Sequence, residues 1–149
     1  MASIVTASPA PQASRAVGWG RFAPIGLGTV AAAVVANVLV YYLGRATVGY
    51  DPQFVILASV AATVFFTAIP AIVATLLYAV LLRFARRPVR TFAIIAAVIF
   101  VVTTIPDFTY IPGAPGATTG QTAILVIMHI VAAAVIVGLL TGLARPSTR

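Results

Sequence analysis

Apolar residues run along this chain in four long blocks, separated by short stretches rich in Arg, Gly, Pro and Thr. The first block, Phe22 to Gly44, predicts a helix of roughly 35 Å at 1.5 Å per residue, enough to cross the hydrocarbon of a bilayer. The second, Phe54 to Phe84, exceeds the membrane thickness and should tilt or project. Pro70 lies near its middle, where it removes one backbone hydrogen bond and crowds the preceding turn, so a kink is predicted there. The third, Thr91 to Ile105, is short unless it borrows residues from either flank. The fourth is Gln121 to Leu143. The pattern predicts an all-α integral membrane bundle of four transmembrane helices within residues 21–145. Residues 1–20 and 146–149 read as tails, the first disordered. The first apolar block is about twice the length of a signal-peptide core, and no basic segment opens the chain, so a signal peptide is not expected.

Charge then sets an orientation. All nine basic residues are Arg. Arg15 and Arg21 precede the first span, Arg83, Arg86, Arg87 and Arg90 lie between the second and third, and Arg145 and Arg149 follow the fourth. Arg45 alone falls on the opposite side. Basic excess marks the cytoplasmic face, so both termini are expected in the cytoplasm of a multi-pass inner (plasma) membrane protein. The two acids, Asp51 and Asp107, are assigned to the outer loops at 45–52 and 106–120. Net charge +7 is thereby accounted for by topology, and nucleic acid is not an expected partner. The Arg83–Arg90 hinge is expected to contact anionic headgroups at the cytoplasmic face. Tyr41, Tyr42, Tyr50 and Tyr110 fall near the outer interface and Trp19 near the inner one, levels that aromatic residues favour.

Composition supports the membrane reading and removes several chemistries. Hydrophobic residues make up 62% of the chain and charged ones 7%, against about 45–50% and 25% in soluble domains. Cysteine is absent, which excludes disulfides, Cys-ligated zinc, iron–sulfur clusters and thiol redox chemistry. No Asp, Glu, Lys or Arg is expected deep within a span, and a proton-coupled exporter needs one. A carboxylate dyad and a Ser/His/Asp constellation are both missing, since Ser59, the one Ser within a predicted span, has no acid nearby. Met128 projects about 100° away from His129 on the helix, so haem ligation by the two is disfavoured. No enzyme activity, metal or cofactor is expected.

Helices in lipid associate through close backbone approach and interhelical hydrogen bonds. Small residues four apart could supply the approach: Gly28/Ala32/Ala36, Ala58/Ala62, Ala93/Ala97 and Ala134/Gly138/Gly142. The last stripe is expected to pack within the bundle, with self-association as the alternative. Asn37 and His129 both lie roughly 5 Å to the outer side of the midplane. Thr63, Thr103 and Thr104 share that half. His129 should therefore face the bundle interior, with Asn37 as preferred partner and the three threonines as alternatives. One reading has the cluster fixing helix register. The other has it lining a small outer cavity where neutral His129 binds a ligand.

The basic hinge RFARRPVRTF, a third span ending in IPDF and a last span opening MHIVAAAVIVGLL give the chain a resemblance to a bacterial domain-of-unknown-function family of small four-span membrane proteins, over roughly residues 20–145. The resemblance implies the topology and interest in His129. The leading functional expectation is a non-enzymatic accessory subunit that packs with a membrane-protein partner or a second copy, or binds lipid. The alternative is a small-molecule binder or facilitator using the polar cluster around His129.

Overall fold

The structure, a computed structural model, describes residues 19–144. The expected tails, with Arg15, Arg145 and Arg149, lie outside the described residues, except that Trp19 and Gly20 already belong to the first helix. Four helices follow in order: α1 Trp19–Thr47, α2 Val60–Phe84, α3 Pro88–Thr109 and α4 Thr119–Leu143, with a 3-10 turn at Ile111–Gly113 between the last two. Each is long and apolar enough to cross a membrane, and the fold is an all-α membrane bundle. One end carries the α2–α3 turn with its arginines. The other carries the two longer connections and is called here the two-loop end.

The helix boundaries shift in ways the local chemistry explains. The second span does not begin at Phe54. Ser59 is not inside it but caps α2, its hydroxyl accepting from the Ala62 N–H at 3.2 Å. The preceding residues form tight turns, with Phe54 N–H bonding Asp51 O and Leu57 N–H bonding Phe54 O. The third span does borrow from both flanks. Pro88 suits a first helical position, where its missing N–H costs nothing, and α3 continues through Pro106 to Thr109. Pro70 sits within α2 on its exposed face, and the helix is continuous through it.

α1 packs against α2 and α4, and α3 packs against α4 and α2, while α1 and α3 do not meet. Only 6% of the apolar window of α3 is buried, against 22% for α1 and α4, so α3 is the helix least held by packing. On α1 the buried positions Phe22, Gly26, Thr29, Ala33, Asn37 and Tyr41 recur every three or four residues, the period of one helix face. Gly26 lies on that face, and a Cβ there would come within 2.6 Å of Thr75 on α2. The absent side chain is what allows the two backbones to approach.

The small-residue stripes do not serve that purpose. Ala134, Gly138 and Gly142 are exposed, and a Cβ at either glycine would meet nothing within 4 Å. The expectation that this stripe packs inside the bundle is corrected: it faces outward. Gly28, Ala58, Ala93 and Ala97 are exposed as well. In an alanine-rich chain a spacing of four defines a face without saying which face it is.

The interior divides into two clusters. One, toward the arginine-rich end, gathers Phe22, Ala33, Ala71, Tyr78, Phe92, Ile136 and Leu140. The other, toward the two-loop end, gathers Tyr41, Phe54, Leu57, Ile111, Leu125 and Met128. The second cluster explains why Phe54 and Leu57 are apolar without being helical: they sit in turns that form a lid over the bundle. Tyr41 is correspondingly buried in protein, while Tyr42 and Tyr110 remain exposed. A clasp joins the two loops. The buried Gln121 amide, oriented to satisfy both its ends, donates to Gly116 O at 2.9 Å and accepts from Asp51 N–H at 2.8 Å. Gly116 has φ +72, and a Cβ there would press on Asp51 and on the Phe54 N–H.

Candidate functional site

The α3 face that turns inward carries Phe92, Thr104 and Asp107, continued by Ile111 in the 3-10 turn. The steps of three and four between the last three keep Asp107 on the bundle side of the final helical turn. Asp107 was expected in a loop. It instead lies in a membrane-spanning helix and is buried, its side chain 6% exposed. Its neighbour is His129 on α4, 35% exposed, with Asp107 Oδ2 and His129 Nδ1 3.1 Å apart. The single histidine of the chain therefore meets one of its two acids, which lies on α3 and not in the loop expected for it.

His129 Nδ1 also lies 3.0 Å from the carbonyl of Leu125, one turn earlier on α4. A carbonyl can only accept, so the arrangement assigns a proton to Nδ1. Only the Leu125 contact meets hydrogen-bond geometry. Asp107 Oδ2 sits beside the ring nitrogen without a conventional hydrogen bond. Charge proximity is present, yet the oxygen keeps its capacity to accept.

The rest of the expected cluster is distributed elsewhere. Asn37, the preferred partner of His129, is buried between α1 and α2 and donates from Nδ2 to Thr67 Oγ1 at 3.0 Å. Thr63 is buried one turn from Thr67 on the same helix face. Thr104 is buried on the same α3 face as Asp107, and its hydroxyl bonds Phe100 O at 2.7 Å. Thr103 is exposed, satisfied within its own helix by Ile99 O at 2.8 Å. Two polar pairs result, Asn37–Thr67 on α1 and α2, and Asp107–His129 on α3 and α4. Among the described residues no three His, Cys, Asp or Glu side chains come together as a metal site.

A family model matches residues 18–146, most of the chain. The chain belongs to DUF6069, a family of unknown function. The DUF6069 match takes in all four helices, both polar pairs and the loop clasp. Neither the curated proteins nor the solved structures yield a match.

At the opposite end, Arg83, Arg86, Arg87 and Arg90 are all exposed around the α2–α3 turn. Arg83 lies over the Phe84 ring, 5.8 Å from its centroid, a cation–π distance. Near the two-loop end, Tyr50 donates to Tyr41 O at 2.8 Å. Burial pushes the Tyr50 phenol above its ordinary pKa, neighbouring Tyr41 adds to the rise, and Arg45 opposes it.

Proposed function

We propose that this protein is a non-enzymatic, membrane-embedded binder whose ligand site is the Asp107–His129 pair. One observation carries the reading: a carboxylate oxygen buried within a membrane-spanning helix lies 3.1 Å from an imidazole nitrogen and retains an unused acceptor capacity. Intramembrane ionisable residues are costly and mark functional sites. A buried carboxylate needs a positive partner or strong donors. A proton on His129 can neutralise it, and so can a small organic cation or a ligand bearing N–H groups. The partly exposed imidazole offers Nε2 as a second contact. The ligand class favoured is therefore a compact amine or guanidinium-like cation.

The test uses the purified protein in detergent, its thermal unfolding followed with methylammonium, guanidinium and tetramethylammonium as probes. At least one should raise the midpoint of the wild type and leave Asp107→Asn unmoved. Equal responses of wild type and Asp107→Asn to every probe would remove the proposal.

The surroundings of the site follow from the same reading. Both termini and the arginine turn face the cytoplasm of a bacterial inner membrane, so the pair is reached from the outer side. The four hinge arginines hold anionic headgroups. A second copy or another membrane protein would dock most closely on the outward stripe Ala134/Gly138/Gly142, where no side chain holds it off. Replacing Gly138 by Leu should then reduce crosslinking between copies or to a partner, while leaving the unfolding midpoint unchanged.

A further inference from the structure

Threonine in an apolar helix ordinarily satisfies its hydroxyl on its own backbone. Thr29, Thr75, Thr103, Thr104, Thr109 and Thr141 each donate to the carbonyl four residues back, at 2.6–3.0 Å. Thr63 does not. It is 5% exposed, and its hydroxyl has no partner among the described residues. On the facing helix Asn37, 4% exposed, uses Nδ2 on Thr67 and leaves Oδ1 without a partner among the described residues. Thr63 and Thr67 are one turn apart on the buried face of α2. Thr63 is thus one helical turn from the residue through which Asn37 joins α1 to α2. In hydrocarbon each such group costs several kcal/mol if nothing meets it, and buried polar groups in proteins are almost always met.

We propose that Asn37 and Thr63 bind a small neutral hydrogen-bonding molecule between α1 and α2, one that donates to Asn37 Oδ1 and pairs with the Thr63 hydroxyl. Neither side chain carries charge, so a charged ligand would be left uncompensated there. Water fits this chemistry, and so does a small alcohol or amide. The site is separate from Asp107–His129, which lies on the other two helices and selects for positive charge. Each proposal can fail without the other.

The decisive variant is Thr63→Val, which keeps the shape and deletes the hydroxyl. An unmet buried hydroxyl destabilises, so its removal should raise the unfolding midpoint. A hydroxyl that holds a ligand contributes, so its removal should lower the midpoint, by about 2–4 °C, while Thr63→Ser stays near wild type. Asn37→Ala combined with Thr63→Val should then cost less than the sum of the two, because either one releases the shared ligand. Mass spectrometry of low-mass compounds released on denaturation identifies the source. An organic compound present in wild type and lost in Thr63→Val is the ligand, and its absence alongside the same stability pattern identifies water. A midpoint that rises or does not move in Thr63→Val, or strict additivity of the two changes, overturns the proposal.

Discussion

Gly44 and Gly28 occupy the same helix, and the structure predicts opposite outcomes when each becomes alanine. At Gly44 a Cβ would collide with the Tyr50 hydroxyl and lie 2.9 Å from the Ile124 side chain on α4. The Tyr50 hydroxyl is not free to yield, because it donates to Tyr41 O at 2.8 Å. Displacing it forfeits that bond, about 0.5–1.5 kcal/mol, and wedging α1 from α4 adds roughly 1–3 kcal/mol of overpacking. Alanine recovers roughly 0.5–1 kcal/mol of the helix cost of glycine. The net loss for Gly44→Ala is about 1–3 kcal/mol, at roughly 2–4 °C of unfolding midpoint per kcal/mol. A Cβ at Gly28 meets nothing within 4 Å, so Gly28→Ala should leave the midpoint unchanged or slightly raised. Thermal unfolding of both variants in one detergent makes the comparison. Gly44→Ala on a Tyr50→Phe background should cost less than the two changes added, since the colliding hydroxyl is already gone. Equal midpoints for Gly44→Ala and Gly28→Ala would refute the packing argument.

Ser59→Ala removes the side-chain cap of α2 and should cost about 0.5–2 kcal/mol, read from the same unfolding curves; Ser59→Thr should retain most of it. Gln121→Leu breaks both bonds of the loop clasp and should speed proteolysis between residues 48 and 58, with cleavage no faster than wild type counting against the clasp. Burial raises the Tyr50 pKa above its ordinary 10.0, so the folded state holds the phenol proton more tightly than the unfolded state does. Its contribution to stability is full below pH 10 and is lost as pH rises above it, a loss that Tyr50→Phe should diminish. Fusions at the C-terminus should activate a cytoplasmic reporter and leave a periplasmic one silent, and the reverse would overturn the orientation drawn from the arginines.

The four spans were legible because hydropathy measures what a membrane selects. The start of α2 was not, since Phe54 and Leu57 are as apolar as any lipid-facing residue, although protein is what covers them. Hydropathy cannot distinguish these two destinations. Asp107 was missed because Pro106 reads as a stop, and near the end of a helix a proline forfeits little. The spacing of Phe100, Thr104, Asp107 and Ile111 was the available signal, one helical face running through the proline. The burial of Asn37 was readable; its partner was not. Equal depth leaves open which helices are neighbours, and α1 turns Asn37 toward α2 while α4 turns His129 toward α3.

The clasp at the two-loop end has a consequence for how the chain is made. Asp51 belongs to the connection of the first helical hairpin, whereas Gly116 and Gln121 belong to the second. A ribosome releases these halves in sequence, so the first hairpin enters the bilayer with Asp51, Phe54 and Leu57 still lacking the surfaces that will receive them. The lid can close only after α4 has begun to insert. Its closure therefore reports that the second hairpin has been made, and a chain halted after α2 would leave the loop open and Phe54 and Leu57 without the cover of Ile111, Leu125 and Met128.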